Sequence, residues 1–414
     1  MLSNVSSQGA TFGTNVLVAN ILGRTAFGEY AMVSNTIASA SLFGQCATGY
    51  TALKYLAEFR AVDKPRAGRV LALCSAISAA SAFLIALACL LSAGALAGLF
   101  RAPHLTSALR LGAGVLGLSV LNGFQMGVLQ GLESYRFLCR ANIYGACLSL
   151  FLCLALSQQF GVNGALLGLL AGSVAKWMVF ERFIRRELSL QGIRLDYANM
   201  RQETHIFKRF GLPAALTGFA MAPSPWIANT LLVRQPGGFG QMAIYGAGMN
   251  MLTLVSFLPK IIDRVSMSML NFEKGARNSA GYRRVVKLNL ALTLGCAILG
   301  AICAALFGPW FLRLFGKSFV ADGYTTLLIL LLAPIQEVVT SAFAQVIESH
   351  ERMWTRALAV NLPRDLCFPI AAFLLVPHGA AGLAVAYVLS QTVAFSAILI
   401  LIRRTGLGVT PTHA

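Results

Sequence analysis

Acidic residues are scarce in this chain. Asp and Glu fill only 15 of its 414 positions, against 33 Lys or Arg, and charged residues of both signs come to 12%, about half the share of a soluble domain. That little charge cannot cover a water-soluble protein of this length, which excludes a soluble globular fold. Catalytic and metal-binding patterns are missing as well. The nine cysteines form no C-x-x-C pair and nearly all fall in or beside apolar runs, where they read as small buried hydrophobes. The five histidines are isolated, without an H-E-x-x-H zinc pattern. No Gly-rich phosphate loop and no paired acidic loop motif is present, which argues against a nucleotide-driven pump and a metal-dependent glycosyltransferase. The sequence therefore reads as a non-enzyme with no cofactor and no metal site.

What is abundant is apolar sequence. Hydrophobic residues make up 57% of the chain and mean hydropathy is +0.70, the mark of an integral membrane protein. Apolar runs of about 20 residues, the length that crosses a bilayer, predict about twelve helical spans: 3–23, 29–53, 70–100, 109–131, 138–157 and 161–180, then 210–233, 240–260, 286–307, 323–347, 356–376 and 379–402. They are expected to be helices because backbone exposed to lipid must satisfy its own hydrogen bonds.

The two sets of spans repeat one another. "TAFGEYA" at Thr25 is matched by "GGFGQMA" at Gly237, "VLQGLE" at Val128 by "VIESHE" at Val346, and "GVNGAL" at Gly161 by "GAAGLA" at Gly379. The pairs occur in the same order and at nearly one spacing, which points to a duplicated unit. An even number of spans per unit makes both units enter the bilayer from the same side, so the pseudo-twofold relating them lies along the membrane normal. The expected organisation is a first lobe over 1–180, an amphipathic cytoplasmic linker over 181–209 that contains "RRELSLQGIRLDYANM", and a second lobe over 210–414.

Basic residues set the orientation. Most lie in the even-numbered loops and at the C-terminus, while the odd-numbered loops carry only Arg24, Arg101, Arg110, Arg234, Arg313 and Lys317. The positive-inside rule then makes the even loops and both termini cytoplasmic. It also accounts for the net charge of +18, since the bases are dispersed over short loops facing anionic headgroups and do not form a nucleic-acid surface. The opening "MLSNVSSQGA" lacks the basic region of a signal peptide.

Polar side chains inside the spans are the candidates for function. Gln8, Thr11 and Asn15 share one face of span one, and Asn250, Thr253 and Lys260 one face of span eight. Asn35, Ser41 and Gln45 form a looser stripe on span two. These stripes either line a cavity between the repeats or serve as interhelical glue. Pro223, Pro225 and Pro259 are expected to kink spans seven and eight. Arg24 and Arg234 close spans one and seven at matching places; they either grip an anion in bidentate fashion or anchor the helices at the outer interface. Glu337 lies mid-way along span ten, and Arg364 and Asp365 mid-way along span eleven, where the equivalent first-lobe residues are Ser119, Ala146 and Cys147. Charges confined to one lobe are candidates for ion coupling, with a structural Glu337–Arg364 pair as the competing account.

The segments "LGRTAFGEYA", "GLESYRF" and "FGVNGALLG" resemble the Wzx-type oligosaccharide flippases of the polysaccharide biosynthesis family, which share a superfamily with lipid II flippases and MATE multidrug exporters. The resemblance extends over nearly the whole chain. It implies two six-helix lobes forming a V around a central cavity lined by spans one, two, seven and eight, in the bacterial inner membrane. It also implies a substrate: an oligosaccharide repeat unit on undecaprenyl diphosphate, carried by alternating access from the cytoplasmic to the periplasmic leaflet for O-antigen or exopolysaccharide synthesis, with a coupling proton or sodium ion and polysaccharide polymerase machinery as partners. One departure is the missing basic segment before span one. A MATE-like ion-coupled drug exporter would share the fold, but its cationic substrates favour acidic cavity residues. A membrane enzyme acting on lipid-linked sugars would need a large outer loop or a clustered acid/base pair, and no outer loop here exceeds about a dozen residues.

Overall fold

The computed structural model describes residues 2–212, 215, 223–276, 278–350 and 353–405, apart from the side chains of residues 2–8, 10, 210 and 405. All regular structure among the described residues is helical. Six helical stretches are long and apolar enough to cross a membrane, or seven if one bent pair counts as a span. Two of the six, Tyr135–Gln191 and Met353–Arg404, run to more than fifty residues, or about 80 Å at 1.5 Å per residue, and so exceed one crossing of about 30 Å. The chain forms two compact units, Met1–Trp226 and Ile227–Ala414.

The first unit opens with helix α1, Leu2–Gly44, broken at Gly23 with φ 77° and ψ 174°. Only glycine takes that conformation without strain, so the first turn expected from the sequence falls there. The second expected span is itself interrupted: Cys46 and Ala47 have positive φ, and a separate helix α2 follows over Thr48–Phe59. Helix α3, Lys64–Leu99, starts where the Asp63 side chain accepts from the Arg66 amide and Pro65 fills the first turn. Helices α4, Thr106–Gly131, and α5, Tyr135–Gln191, complete the unit. The core between α2, α3, α4 and α5 is built from Leu56, Leu71, Val128, Leu129 and Phe180. Small residues let the helices approach closely: a Cβ on Gly127 would lie 2.2 Å from the Gly49 carbonyl oxygen.

Helix α6, Pro223–Val233, contains the boundary between the units, and the second unit goes on with α7 over Gly238–Val255, α8 over Phe257–Gly275, α9 over Ser279–Phe315, α10 over Val320–Leu330, α11 over Ala333–Ser349, α12 over Leu362–Leu375 and α13 over Gly379–Thr405. Pro259 does bend its span, since α7 and α8 meet at 42°: a proline there cannot donate to the preceding turn. Pro223 and Pro225 lie where the described part of α6 begins, and the preceding residues 216–222, on which the expected kink of span seven depends, lie outside the described residues.

The repeat inferred from sequence is present in the backbone of the two units. Gly161 breaks α5 at φ 56°, ψ −132°, and its partner Gly379 starts α13 at φ 68°, ψ −145°. Three residues on, a Cβ on Gly164 would lie 2.0 Å from the Leu156 carbonyl oxygen, and one on Gly382 1.9 Å from that of Leu375. Each unit also has a buried phenylalanine, Phe100 or Phe315, followed by a positive-φ residue, Arg101 or Gly316, and then by a 3-10 turn, Pro103–Leu105 or Lys317–Phe319.

The linker is made of unlike pieces. Its first third continues α5 to Gln191, and Gly192 ends the helix in the left-handed conformation. The following residues lie against α3: the Arg194 carbonyl oxygen would be 1.9 Å from a Cβ on Gly68, and the Tyr197 hydroxyl is 3.1 Å from Ser75 Oγ. Glu203 is buried, bound by Arg66 Nε at 3.3 Å and by Arg69 Nε and Nη2 at 3.2 and 3.1 Å.

Candidate functional site

The polar stripes read from sequence fall on the expected helices, but their side chains are used in different ways. The side chain of Gln8 lies outside the described residues. Asn15 and Arg24 are half-buried on either side of the Gly23 break. Asn35 is half-buried with its Oδ1 shut away from solvent and without a hydrogen-bond donor. Gln45 packs on the bare backbone of Gly123, where a Cβ would come within 3.1 Å of its side-chain carbon. In the second unit, Asn250 donates to the Gly246 carbonyl at 2.9 Å and Thr253 to that of Met249 at 2.8 Å, so both have partners in their own helix. Arg234 and Lys260 are exposed.

Glu337 and Asp365, the acids singled out in the second unit, lie on α11 and α12. Glu337, on α11, does not use Arg364. Its Oε1 accepts from the Tyr387 hydroxyl at 2.6 Å and from Gln391 Nε2 at 3.2 Å, both on α13 and one turn apart. Arg364 instead folds back on its neighbour Asp365, with Nε and Nη2 each 2.9 Å from Oδ1. Consecutive helical positions do not face one another; it is the length of the arginine side chain that lets it reach. The Tyr387 ring meets Phe368 edge-on with centroids 5.6 Å apart, and Phe368 lies one turn beyond Asp365.

A third acid was missed. Asp263 on α8 accepts from Ser341 Oγ at 2.7 Å and from Asn289 Nδ2 at 3.1 Å. Ser341 is one turn from Glu337 on α11, so Asp263 and Glu337 address neighbouring positions of one helix face. The apolar run of span eight ends at Lys260, which places Asp263 in the following loop. The signal was its spacing of three from Lys260, followed by the further apolar positions Val265, Met269 and Leu270. Beside these acids, Asn289 Oδ1, Thr340 Oγ1 and Gln345 Oε1 are buried acceptors without a donor. Around Ser341 the Asp263 carboxylate is joined to hydroxyl and amide groups, but no group of three acidic, His or Cys side chains placed to hold a metal ion occurs among the described residues.

The first unit holds a neutral counterpart. Ser119, at the position of Glu337, donates to the Val115 carbonyl of its own helix at 2.8 Å. Asn122 bridges to the Ser173 carbonyl at 3.2 Å. Ser119 and Asn122 are thus satisfied by backbone carbonyls, and one turn on Gln125 donates to the Glu181 carboxylate at 3.2 Å.

Comparisons with known proteins extend this picture. Residues 1–264 match the family described as "Polysaccharide biosynthesis protein". The EPS I polysaccharide export inner membrane protein EpsE of Ralstonia solanacearum is 23% identical over 313 residues, 71% of this chain and 68% of the relative. Its counterpart in Ralstonia nicotianae is 25% identical over 301 residues, 70% of this chain and 67% of that protein. Among solved structures, an inward-facing multidrug resistance MATE family transporter of the MOP superfamily superposes with a TM-score of 0.81 at 16% identity, over 97% of this chain and 95% of that one. The lipid II flippase MurJ in an inward closed conformation superposes with a TM-score of 0.79 at 13% identity, over 97% and 86%. The fold is thus the all-helical membrane fold of the MOP superfamily.

Proposed function

Because the chain belongs to the polysaccharide biosynthesis protein family, we propose that it is a flippase: it carries a lipid-linked oligosaccharide repeat unit, on undecaprenyl diphosphate, from the cytoplasmic to the periplasmic leaflet of the bacterial inner membrane. The observation that carries the reading is the family match together with relatives named for polysaccharide export at the inner membrane. The lipid II flippase among its structural neighbours supports a lipid-linked substrate. No covalent step is needed. The task is to move a polar head through hydrocarbon, where bare charge is costly, and guanidinium groups suit a diphosphate. Arg24 and Arg234 are assigned to that contact, assisted by Lys260 and by the amides of Gln8, Asn15, Asn35, Gln45 and Asn250.

The twelve-span topology, with lobes over 1–180 and 210–414 joined by the linker over 181–209 and both termini cytoplasmic, belongs to this proposal. So does energy coupling. Glu337 and Asp365, with Arg364 as the alternative partner of Asp365, take up a proton or sodium ion in one state of the cycle and release it in the other. The product would pass to polysaccharide polymerase machinery on the outer face.

Deleting the gene and analysing the lipid-linked oligosaccharides tests the reading. The expected result is one repeat unit accumulating on the cytoplasmic face, restored to normal by the wild-type gene. The likeness to a MATE transporter favours a second reading, an ion-coupled drug exporter. An unchanged lipid-linked pool with altered drug resistance would select that reading and reject the first.

A further inference from the structure

The second half of α5 is longer than the bilayer needs. From the break at Gly161 to Gln191 it extends about 45 Å, against a hydrocarbon core of about 30 Å, so its last turns stand among headgroups or in water. Where it leaves the apolar zone, Trp177, Met178, Val179, Glu181, Arg182 and Arg185 line an open groove of about 480 Å³. Met178 is exposed, and Arg182 lies one turn beyond it on the same face, also exposed. The order along the helix is an apolar floor with an indole, then guanidinium groups, which is the order of chain and phosphate in a phospholipid.

The charges in the groove can be followed individually. Glu181 accepts from Arg185 Nε at 2.7 Å and from Gln125 Nε2 at 3.2 Å, so this acid and one arginine neutralise each other. Arg186, one residue further on, is stacked 5.7 Å from the Phe137 ring centroid. Arg182 has no ion-pair or hydrogen-bond partner among the described residues. Among the residues that line the groove, Arg182 is thus the cation without an acid partner, and one such charge matches the single negative charge of a phosphodiester, whereas a diphosphate carries at least two.

We propose that this groove is a binding site for an acidic phospholipid of the phosphatidylglycerol type, with the phosphate on Arg182 and the acyl chain along Trp177 and Met178. The site is distinct from the assigned substrate contacts and holds the first unit at a defined depth in the membrane. The test uses the purified full-length protein in phosphatidylcholine nanodiscs, with brominated phosphatidylglycerol or brominated phosphatidylcholine as the quencher. The Trp177→Phe variant isolates the Trp177 signal by difference. In the wild type, phosphatidylglycerol should quench Trp177 at about one tenth of the mole fraction that phosphatidylcholine requires, the ratio given by one ordinary charge-assisted hydrogen bond. Arg182→Gln should bring the two lipids to within about twofold of each other, while Arg403→Gln, an exposed arginine at the end of α13, should keep the preference. Equal quenching by the two lipids in the wild type, or an undiminished preference in Arg182→Gln, would overturn the site. Displacement of the brominated lipid by undecaprenyl diphosphate at a far lower mole fraction would also overturn it, by giving the groove to the transported lipid.

Discussion

Replacing Glu337 by Gln separates an ion-coupling carboxylate from a structural one, because the structure states what the change removes. Both donors, the Tyr387 hydroxyl at 2.6 Å and Gln391 Nε2 at 3.2 Å, converge on the same oxygen. A glutamine amide can present an oxygen at that place, so the two bonds survive and only their charge assistance is lost. Charged hydrogen bonds contribute about 1.5–3 kcal/mol and neutral ones about 0.5–1.5, a difference of about 1–1.5 per bond, which puts the cost of Glu337→Gln at no more than about 2–3 kcal/mol for the two. That is small enough for the protein to reach the membrane at near wild-type level. It should nevertheless lose the response to an ion gradient, since a neutral amide cannot exchange a proton or balance a bound cation.

The assay is translocation of a lipid-linked oligosaccharide in proteoliposomes, read by a membrane-impermeant lectin, with and without an imposed proton or sodium gradient. Wild-type protein should transport faster with the gradient, and Glu337→Gln at the same low rate with or without it. Glu337→Leu is the structural control. It strips the Tyr387 hydroxyl and the Gln391 amide of their acceptor and should lower the amount of folded protein. Full, gradient-stimulated transport by Glu337→Gln would refute the coupling role. Loss of folded Glu337→Gln protein would refute the energetic reasoning.

Asp365→Asn should likewise weaken the gradient response, whereas the apolar double variant Arg364→Met with Asp365→Leu should fold better than Asp365→Leu alone, because the single change leaves an unpaired guanidinium; membrane protein level reports both. Gly382→Ala should abolish accumulation of folded protein, as its Cβ would lie 1.9 Å from the Leu375 carbonyl oxygen and the backbone must shift by about 1.5 Å to reach van der Waals contact; wild-type levels of Gly382→Ala would refute the assigned turn. Glu203→Ala leaves Arg66 and Arg69 without their buried carboxylate at a cost of about 2–3 kcal/mol, and should speed tryptic cleavage at Arg194 and Arg201 as the linker lifts from α3. Arg24→Glu and Arg234→Glu should each reduce transport by about tenfold or more, while Lys at either position keeps part of it; normal transport by both Glu variants would make the arginines interface anchors.

How much of this was legible in the sequence depended on the kind of constraint. Glycines that must adopt positive φ or admit a neighbouring carbonyl cannot be exchanged without cost, so "GVNGAL" and "GAAGLA" stayed recognisable at equivalent places and marked real turns. Membrane-length apolar runs were equally visible, because hydrocarbon demands them wherever the helix lies. Breaks inside spans were harder to see. The interruption at Cys46 and Ala47 uses residues with no turn signature, and the span ending at Lys260 resumes after the bend as α8, with Asp263 inside it. Partner choice was not legible at all: Glu337 and Arg364 were plausible mates on adjacent spans, yet tyrosine and glutamine on α13 satisfy the one and Asp365 the other.

The two units keep the same backbone breaks but not the same chemistry, and that difference bears on mechanism. At the Gly161 and Gly379 turns the geometry agrees to within about 15° in φ and ψ, which leaves little tolerance for divergence. At the polar positions of the spans the constraint is weaker, since any side chain that finds a partner can be held there. Ser119 meets that requirement with a bond to its own helix, so nothing about the fold itself requires a carboxylate at the equivalent Glu337. A half-buried acid such as Glu337 carries a desolvation cost that a serine does not. Glu337 and Asp263 therefore stand at positions where hydroxyls and amides alone would satisfy the packing, which leaves room for a reason other than folding. A cation that binds in one state of the cycle and leaves in the other would be such a reason: it would be felt by one unit alone, and the second unit would be the part of the chain whose packing the ion gradient controls.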